Sequence, residues 1–176
     1  MPTNEKSARN WFWFVKQPYN WLITGGTFFQ PVVLLIVRIL MGWEFFQTGH
    51  GKLSNISHPI DFFRELGIPF PVFNAWFVSG LECFGGLLLL FGFLSRPIAF
   101  MLTIDMIVAY LAVPDDRVKF FHAFTDPDSF TAADPFIFLL ASVLVLCFGP
   151  GIFSVDGLLK WLCFRKKTAS AVNKPT

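Results

Sequence analysis

Four apolar runs divide the chain, over about residues 28–48, 72–94, 97–113 and 132–149. A helix that crosses a bilayer needs about 20 mostly apolar residues. The first three runs reach or approach that length. The fourth is shorter, and is expected to extend back through Phe130, to tilt less or to thin the bilayer locally. Breakers mark the run ends. Pro31, Pro97 and Pro135 each fall in a first turn, where the missing N–H has no intrahelical partner to lose. Pro114 and Gly149-Pro150-Gly151 close the third and fourth runs, and Asp134 is placed to cap the fourth. The pattern predicts an all-α membrane protein built as a four-transmembrane-helix bundle.

The flanks have a different pattern. Residues 8–22 carry Trp11, Trp13, Tyr19 and Trp21, side chains that favour the membrane interface. Residues 154–164 place apolar residues at helical spacing ahead of a basic tail. Both predict interfacial helices lying flat on the membrane. The chain then divides into an N-terminal interfacial segment (1–27), the bundle (28–150), and an interfacial helix with a basic tail (151–176). Trp11-Phe12-Trp13-Phe14-Val15 is too short for a signal-peptide core, and Lys16 and Pro18 interrupt it.

Charge gives the orientation. Lys6, Arg9 and Lys16 precede the first run, Arg96 joins the second to the third, and Lys160, Arg165, Lys166, Lys167 and Lys174 follow the fourth. The other side holds only Lys52, Arg64, Arg117 and Lys119. Short loops rich in Lys and Arg stay in the cytoplasm. Both termini are therefore expected in the cytoplasm of a bacterium, with the chain in its inner membrane. The loops 49–71 and 114–134 then face the opposite side.

Composition agrees. Of 176 residues, 54% are hydrophobic, 24 of them Phe and 6 Trp. One domain of this size could not bury that much apolar surface in water, so lipid is the expected surrounding. A net charge of +2, without a basic stripe among stacking aromatics, argues against nucleic acid as a partner. Cys83, Cys147 and Cys163 form no CxxC pair and no zinc-ligand spacing, and read as small apolar side chains.

Against this background four ionisable residues stand out within the runs: Arg38, Glu44, Glu82 and Asp105. A charge at the bilayer centre costs at least about 2.5–3.5 kcal/mol by insertion scales, so such groups face the interior and pair. Arg38, Glu82 and Asp105 each lie near the middle of a different span. An Arg38–Glu82 or Arg38–Asp105 ion pair is predicted, either as a polar pin fixing helix register or as a proton or substrate site. Glu44, with His50 just beyond it and Tyr110 at a similar level, is expected to line an outward-facing pocket. One His and one Glu without regular spacing do not predict a metal.

A family resemblance follows from the order of several short motifs. Arg38-Ile39-Leu40-Met41-Gly42 leads to Phe46 and Gly49-His50-Gly51-Lys52-Leu53. Gly67-Ile68-Pro69, Pro71, Glu82, Gly85-Gly86-Leu87-Leu88-Leu89-Leu90, Gly92 and Ser95-Arg96 come next, and Gly149-Pro150-Gly151 leads to Ser154-Val155-Asp156. Over about residues 30–160 the chain resembles the DoxX/DoxD family of small four-helix membrane proteins. The resemblance implies a membrane subunit of a quinone-linked oxidoreductase or redox assembly. Its typical residues fall here on Arg38, Lys52, Glu82 and Arg96. The cofactor that the resemblance implies is a quinone; the sequence encodes no haem-ligand pair, flavin motif or cysteine pair, which argues against electron transfer by this chain alone. Other membrane subunits or self-association are the implied partners. The alternatives are a non-catalytic accessory subunit packed against a larger complex and, last, a small transporter or proton channel.

Overall fold

The computed structural model describes residues 4–162, with side chains for Trp21 and for residues 24–162. The backbone is helical, without a strand among the described residues. Seven helices follow in order: α1 (Asn4–Ser54), α2 (Ser57–Glu65), α3 (Pro71–Phe91), α4 (Ser95–Ala112), α5 (Pro114–Phe121), α6 (Pro127–Thr131) and α7 (Pro135–Phe148). A further helical stretch covers residues 155–162. Three stretches are long and apolar enough to cross a membrane: Thr24–Ser54 within α1, α3 and α4. The apolar helix α7 has 14 residues.

The long helices form a closed ring: α1 packs on α3, α3 on α4, α4 on α7, and α7 back on α1. Phe45, Leu89, Ala99, Leu102, Met106 and Val145 fill its centre. The Thr103 hydroxyl donates to the Ala99 carbonyl and meets the Ser142 hydroxyl at 3.1 Å, a polar link between α4 and α7. The outward faces are apolar, with Phe28, Phe29, Ile36, Leu40, Phe84 and Phe100 all exposed. That inversion suits lipid as the surrounding medium.

The α1–α3 crossing is set by glycine. A Cβ on Gly49 would stand 2.2 Å from the backbone N of Cys83, and one on Gly86 would stand 2.5 Å from the backbone N of Phe46. A Cβ on Gly42 would stand 2.8 Å from the backbone N of Leu90. Only hydrogen fits at these points, so the two backbones touch over two turns. Small residues serve this purpose where lipid leaves helices no hydrophobic drive to associate.

The crossing also fixes where α1 stops. Gly49 is level with Cys83. Beyond that level α1 continues for five residues, about 8 Å, while α3 continues to Pro71 for twelve, about 18 Å. The missing length leaves a shoulder beside α3. Helix α2 folds into it and packs on α3.

Helix ends follow local rules. At the end of α3 the Gly92 N–H donates to the Leu89 carbonyl and the Phe93 N–H to the Leu88 carbonyl, with Gly92 left-handed at φ 71°. At the start of α6, Asp126 accepts from the hydroxyl and backbone N–H of Ser129, which holds its carboxyl below the usual carboxylate range.

Some expectations change. Residues 8–22, read as a separate interfacial helix, continue α1 without a break in helical backbone. Asp134 occupies the N-cap position of α7 but makes no side-chain cap bond, because its backbone is already helical (φ −52°, ψ −41°). The outer loops contain the short helices α2, α5 and α6. Helical backbone covers 155–162 of the stretch 154–164 expected to form an interfacial helix. Cys163, Arg165, Lys166, Lys167 and Lys174 lie outside the described residues.

Replacing Gly49 with Val should force α1 from α3 and destabilise the protein by more than the ~1–3 kcal/mol typical of core overpacking. Gly80→Ala, whose added Cβ meets nothing within 4 Å, should leave stability unchanged or slightly raised. Thermal unfolding of both variants in detergent checks the contrast.

Candidate binding site

The α1–α3 crossing brings a lysine to a buried carboxylate. Lys52 lies one turn beyond Gly49, and its ammonium reaches Glu82 Oε1 at 2.6 Å. The Lys52 side chain is 40% exposed and that of Glu82 only 4%.

This pair stands in the wall of a cavity of about 630 Å³, a volume typical of small-molecule sites. Ser79 lies one turn before Glu82 on the same face of α3, and Asp105 of α4 stands across from them. Glu82 Oε2, Ser79 Oγ and Asp105 Oδ2 are all buried without a hydrogen-bond partner. Buried polar atoms are nearly always partnered. Three partnerless ones, all on residues that line a single cavity, are unused hydrogen-bonding capacity beside that space. The remaining walls are mostly apolar, with Phe62 and Phe63 from α2, Leu66 just after it, Val78 from α3 and Met106 from α4. Asn55, His58 and Asn74 also contribute polar groups. The cavity thus has one polar, charged region and an otherwise greasy lining. One lysine there faces two carboxyl groups.

Arg38 is elsewhere, which overturns the predicted pairing with Glu82 or Asp105. Its side chain is buried, and its hydrogen bonds go to backbone carbonyls. Nε reaches Leu89 O at 3.1 Å, Nη2 reaches Leu90 O at 3.1 Å, and Nη1 reaches Phe153 O at 3.1 Å and also Pro150 O. Leu89 and Leu90 are in the last turn of α3; the Leu89 carbonyl also accepts from Gly92, and Arg38 adds a second donor there and one to Leu90. Arg38 therefore ties that helix end to the chain following α7. A Cβ on Gly92 would meet the guanidinium at 2.5 Å, so the left-handed glycine also makes room for it.

Asp156 completes this end of the bundle. Its carboxylate accepts from the backbone N–H of Leu94 and of Ser95, both at 2.9 Å, and from the Ser95 hydroxyl at 3.0 Å. It caps α4 from across the fold.

The expected outward pocket around Glu44, His50 and Tyr110 does not form. Glu44 and His50 are exposed on α1, and the His50 ring lies beside Phe46. Tyr110 is fully buried, donates to the Phe130 carbonyl at 2.9 Å and stacks on the Phe130 ring. Arg96 is exposed at the far end of the bundle, beside Gly149. Two site residues escaped the sequence argument. Ser79 carried a usable signal, being a polar residue three before Glu82 in an apolar helix. Asp156 carried none, since its partners are 61 and 62 residues away.

The DoxX family model matches residues 33–115, the segment that holds Arg38, Lys52, Ser79, Glu82 and Asp105. Inner membrane protein YqjF of Escherichia coli (strain K12) is 30% identical over 135 residues, covering 75% of this chain and 97% of that protein. The chain belongs to the DoxX family. It is a membrane protein by that membership and by its apolar helices. An uncharacterized protein of Haemophilus influenzae (strain ATCC 51907 / DSM 11121 / KW20 / Rd) is 29% identical over 138 residues, 73% of this chain and 84% of that one. CatD of Bacillus subtilis (strain 168), provisionally named an oxidoreductase, is 30% identical over 79 residues. That match takes in 45% of this chain and 58% of CatD, less than two thirds of its length. No solved structure matches the chain.

Arg38→Leu should leave the Leu90, Pro150 and Phe153 carbonyls without the donor that Arg38 supplies. At about 1–3 kcal/mol for each unsatisfied group, a loss of at least about 3 kcal/mol is expected. Lower thermal stability in detergent, with faster proteolysis near residues 149–154, is the result to look for.

Proposed function

We propose that this DoxX-family protein is an integral subunit of a quinone-linked redox assembly in the bacterial inner membrane. In this reading the cavity at Lys52, Glu82 and Asp105 takes the quinone head group. The observation that carries it is the set of three buried, partnerless polar atoms on residues that line one largely apolar cavity. A molecule with a small polar head and a greasy body matches that division. The provisional oxidoreductase name of CatD and the inner-membrane name of YqjF point the same way. The alternative, an accessory subunit that only packs against a larger complex, gives the cavity no role.

The residues fit a quinone by their donor set. The Lys52 ammonium, held by Glu82, can donate to a carbonyl oxygen. Ser79 can donate or accept, and Glu82 and Asp105 can each hold a proton or accept a hydrogen bond. When bound, a quinone supplies two-electron, two-proton chemistry, with the electrons provided by a partner subunit. Carboxyls at a cavity wall can pass protons toward the open side, where His58 stands. The apolar lining excludes water from the head-group end. We further propose that α7 is a fourth, short span and that both termini are cytoplasmic, which puts the cavity toward the opposite face.

Photoaffinity labelling with an azido-quinone, in nanodiscs, tests the site. Label is expected in peptides covering residues 58–66 of α2 and 105–113 of α4. Glu82→Gln or Lys52→Met should lower labelling at least about tenfold, the worth of one hydrogen bond to a charged group. Labelling confined to other surfaces, or untouched by either substitution, would rule the site out.

A further inference from the structure

The opposite end of the bundle carries a second cleft, of about 1010 Å³. It opens where the apolar part of α1 begins, where α4 starts and where the chain leaves α7. Phe28, Val32, Phe148 and Ile152 give it apolar walls that are exposed to the surroundings. Arg96 and Lys160 give it two cations. Neither makes an ion pair among the described residues, and both are exposed.

One acid, Asp156, also lines the cleft, but its two oxygens already accept three hydrogen bonds from Leu94 and Ser95. Two cations against this one carboxylate leave the cleft with a net positive charge. A cationic rim over apolar walls, at the end of membrane-spanning helices, is complementary to an anionic head group with acyl chains below it. Guanidinium binds phosphate oxygens through paired N–H groups, and basic pockets between spans are known to take anionic lipid heads.

We propose that this cleft binds an anionic phospholipid, with its phosphate between Arg96 and Lys160 and its acyl chains along Phe28, Val32 and Phe148. The chain's own tail is a poor occupant. Residues 163–176 carry Arg165, Lys166, Lys167 and Lys174 and no acidic side chain, so they repel the same cations. With the orientation proposed above, the cleft opens into the cytoplasmic leaflet. A lipid there would brace α1, α4 and the 150–156 segment that Arg38 and Asp156 hold together.

Native mass spectrometry of the full chain in mild detergent tests this, with phosphatidylglycerol or phosphatidylcholine added in equal amounts. The wild type should retain phosphatidylglycerol in preference to phosphatidylcholine. Arg96→Gln and Lys160→Gln should each reduce that preference about fivefold, and together more. Arg165→Gln with Lys166→Gln, which removes equal charge from the tail, should change it little. Both cleft positions are exposed, so without added lipid the variants should unfold at the wild-type temperature. Equal retention of the two lipids overturns the proposal. So does a preference that survives the double cleft substitution or falls equally with the tail substitution. A second copy of the chain held in place of lipid would also overturn it.

Discussion

The close crossing of α1 and α3 governs the rest of the molecule. Gly42, Gly49 and Gly86 let the two backbones meet where any side chain would collide. In lipid, helices gain little from hiding apolar surface, and close backbone packing supplies the cohesion. Three consequences follow. Lys52 arrives beside Glu82. The outer end of α1 falls short of α3, which opens the shoulder. The short helix α2 then packs into that shoulder and becomes a cavity wall. A site with one charged region and apolar sides is thus a product of where glycine sits.

The other end of the bundle is organised by unsatisfied backbone. Bilayer interiors offer no water to satisfy helix termini, so the chain must do it internally. Arg38 covers carbonyls at the end of α3 and in the segment after α7, and Asp156 covers N–H groups at the start of α4. The two charged residues bond to backbone rather than to each other, and each spans a long sequence separation. Their cost of burial is offset by several hydrogen bonds at once. The division of labour is clear: Arg38 secures the fold, whereas the Lys52–Glu82 pair leaves bonding capacity unused.

Much of the fold was legible in the chain. The second, third and fourth apolar runs match α3, α4 and α7 to within a few residues, whereas Pro31, expected in a first turn, lies inside α1, which runs from Asn4 to Ser54. Arg38, Glu82 and Asp105 were recognisable as interior because charge within an apolar run must be buried. Their pairing was not. Placing each charge at the middle of its own span assumed that all spans share one level. Gly49 is in fact level with Cys83, so the residue delivered to Glu82 is Lys52, which the apolar pattern had assigned to a loop. Helix α2 was hidden for a related reason: its apolar face is satisfied by a shoulder that exists only once α1 and α3 have crossed. Ser79 could have been read from its i, i+3 spacing to Glu82. Asp156 could not, since a cap made across more than 60 residues leaves no local trace.

The central claim is that Lys52 and Glu82 serve a ligand and not stability. Replacing a buried ion pair with apolar groups of similar size is often neutral or stabilising, whereas removing one partner is costly. A bound ligand also raises the unfolding temperature. The decisive measurement is thermal unfolding of Lys52→Met/Glu82→Leu, with and without a short-chain quinone. The account predicts that the double variant unfolds no lower than the wild type without quinone, and that only the wild type gains stability when quinone is added. A double variant that unfolds well below the wild type, yet is stabilised by quinone as strongly, would contradict it.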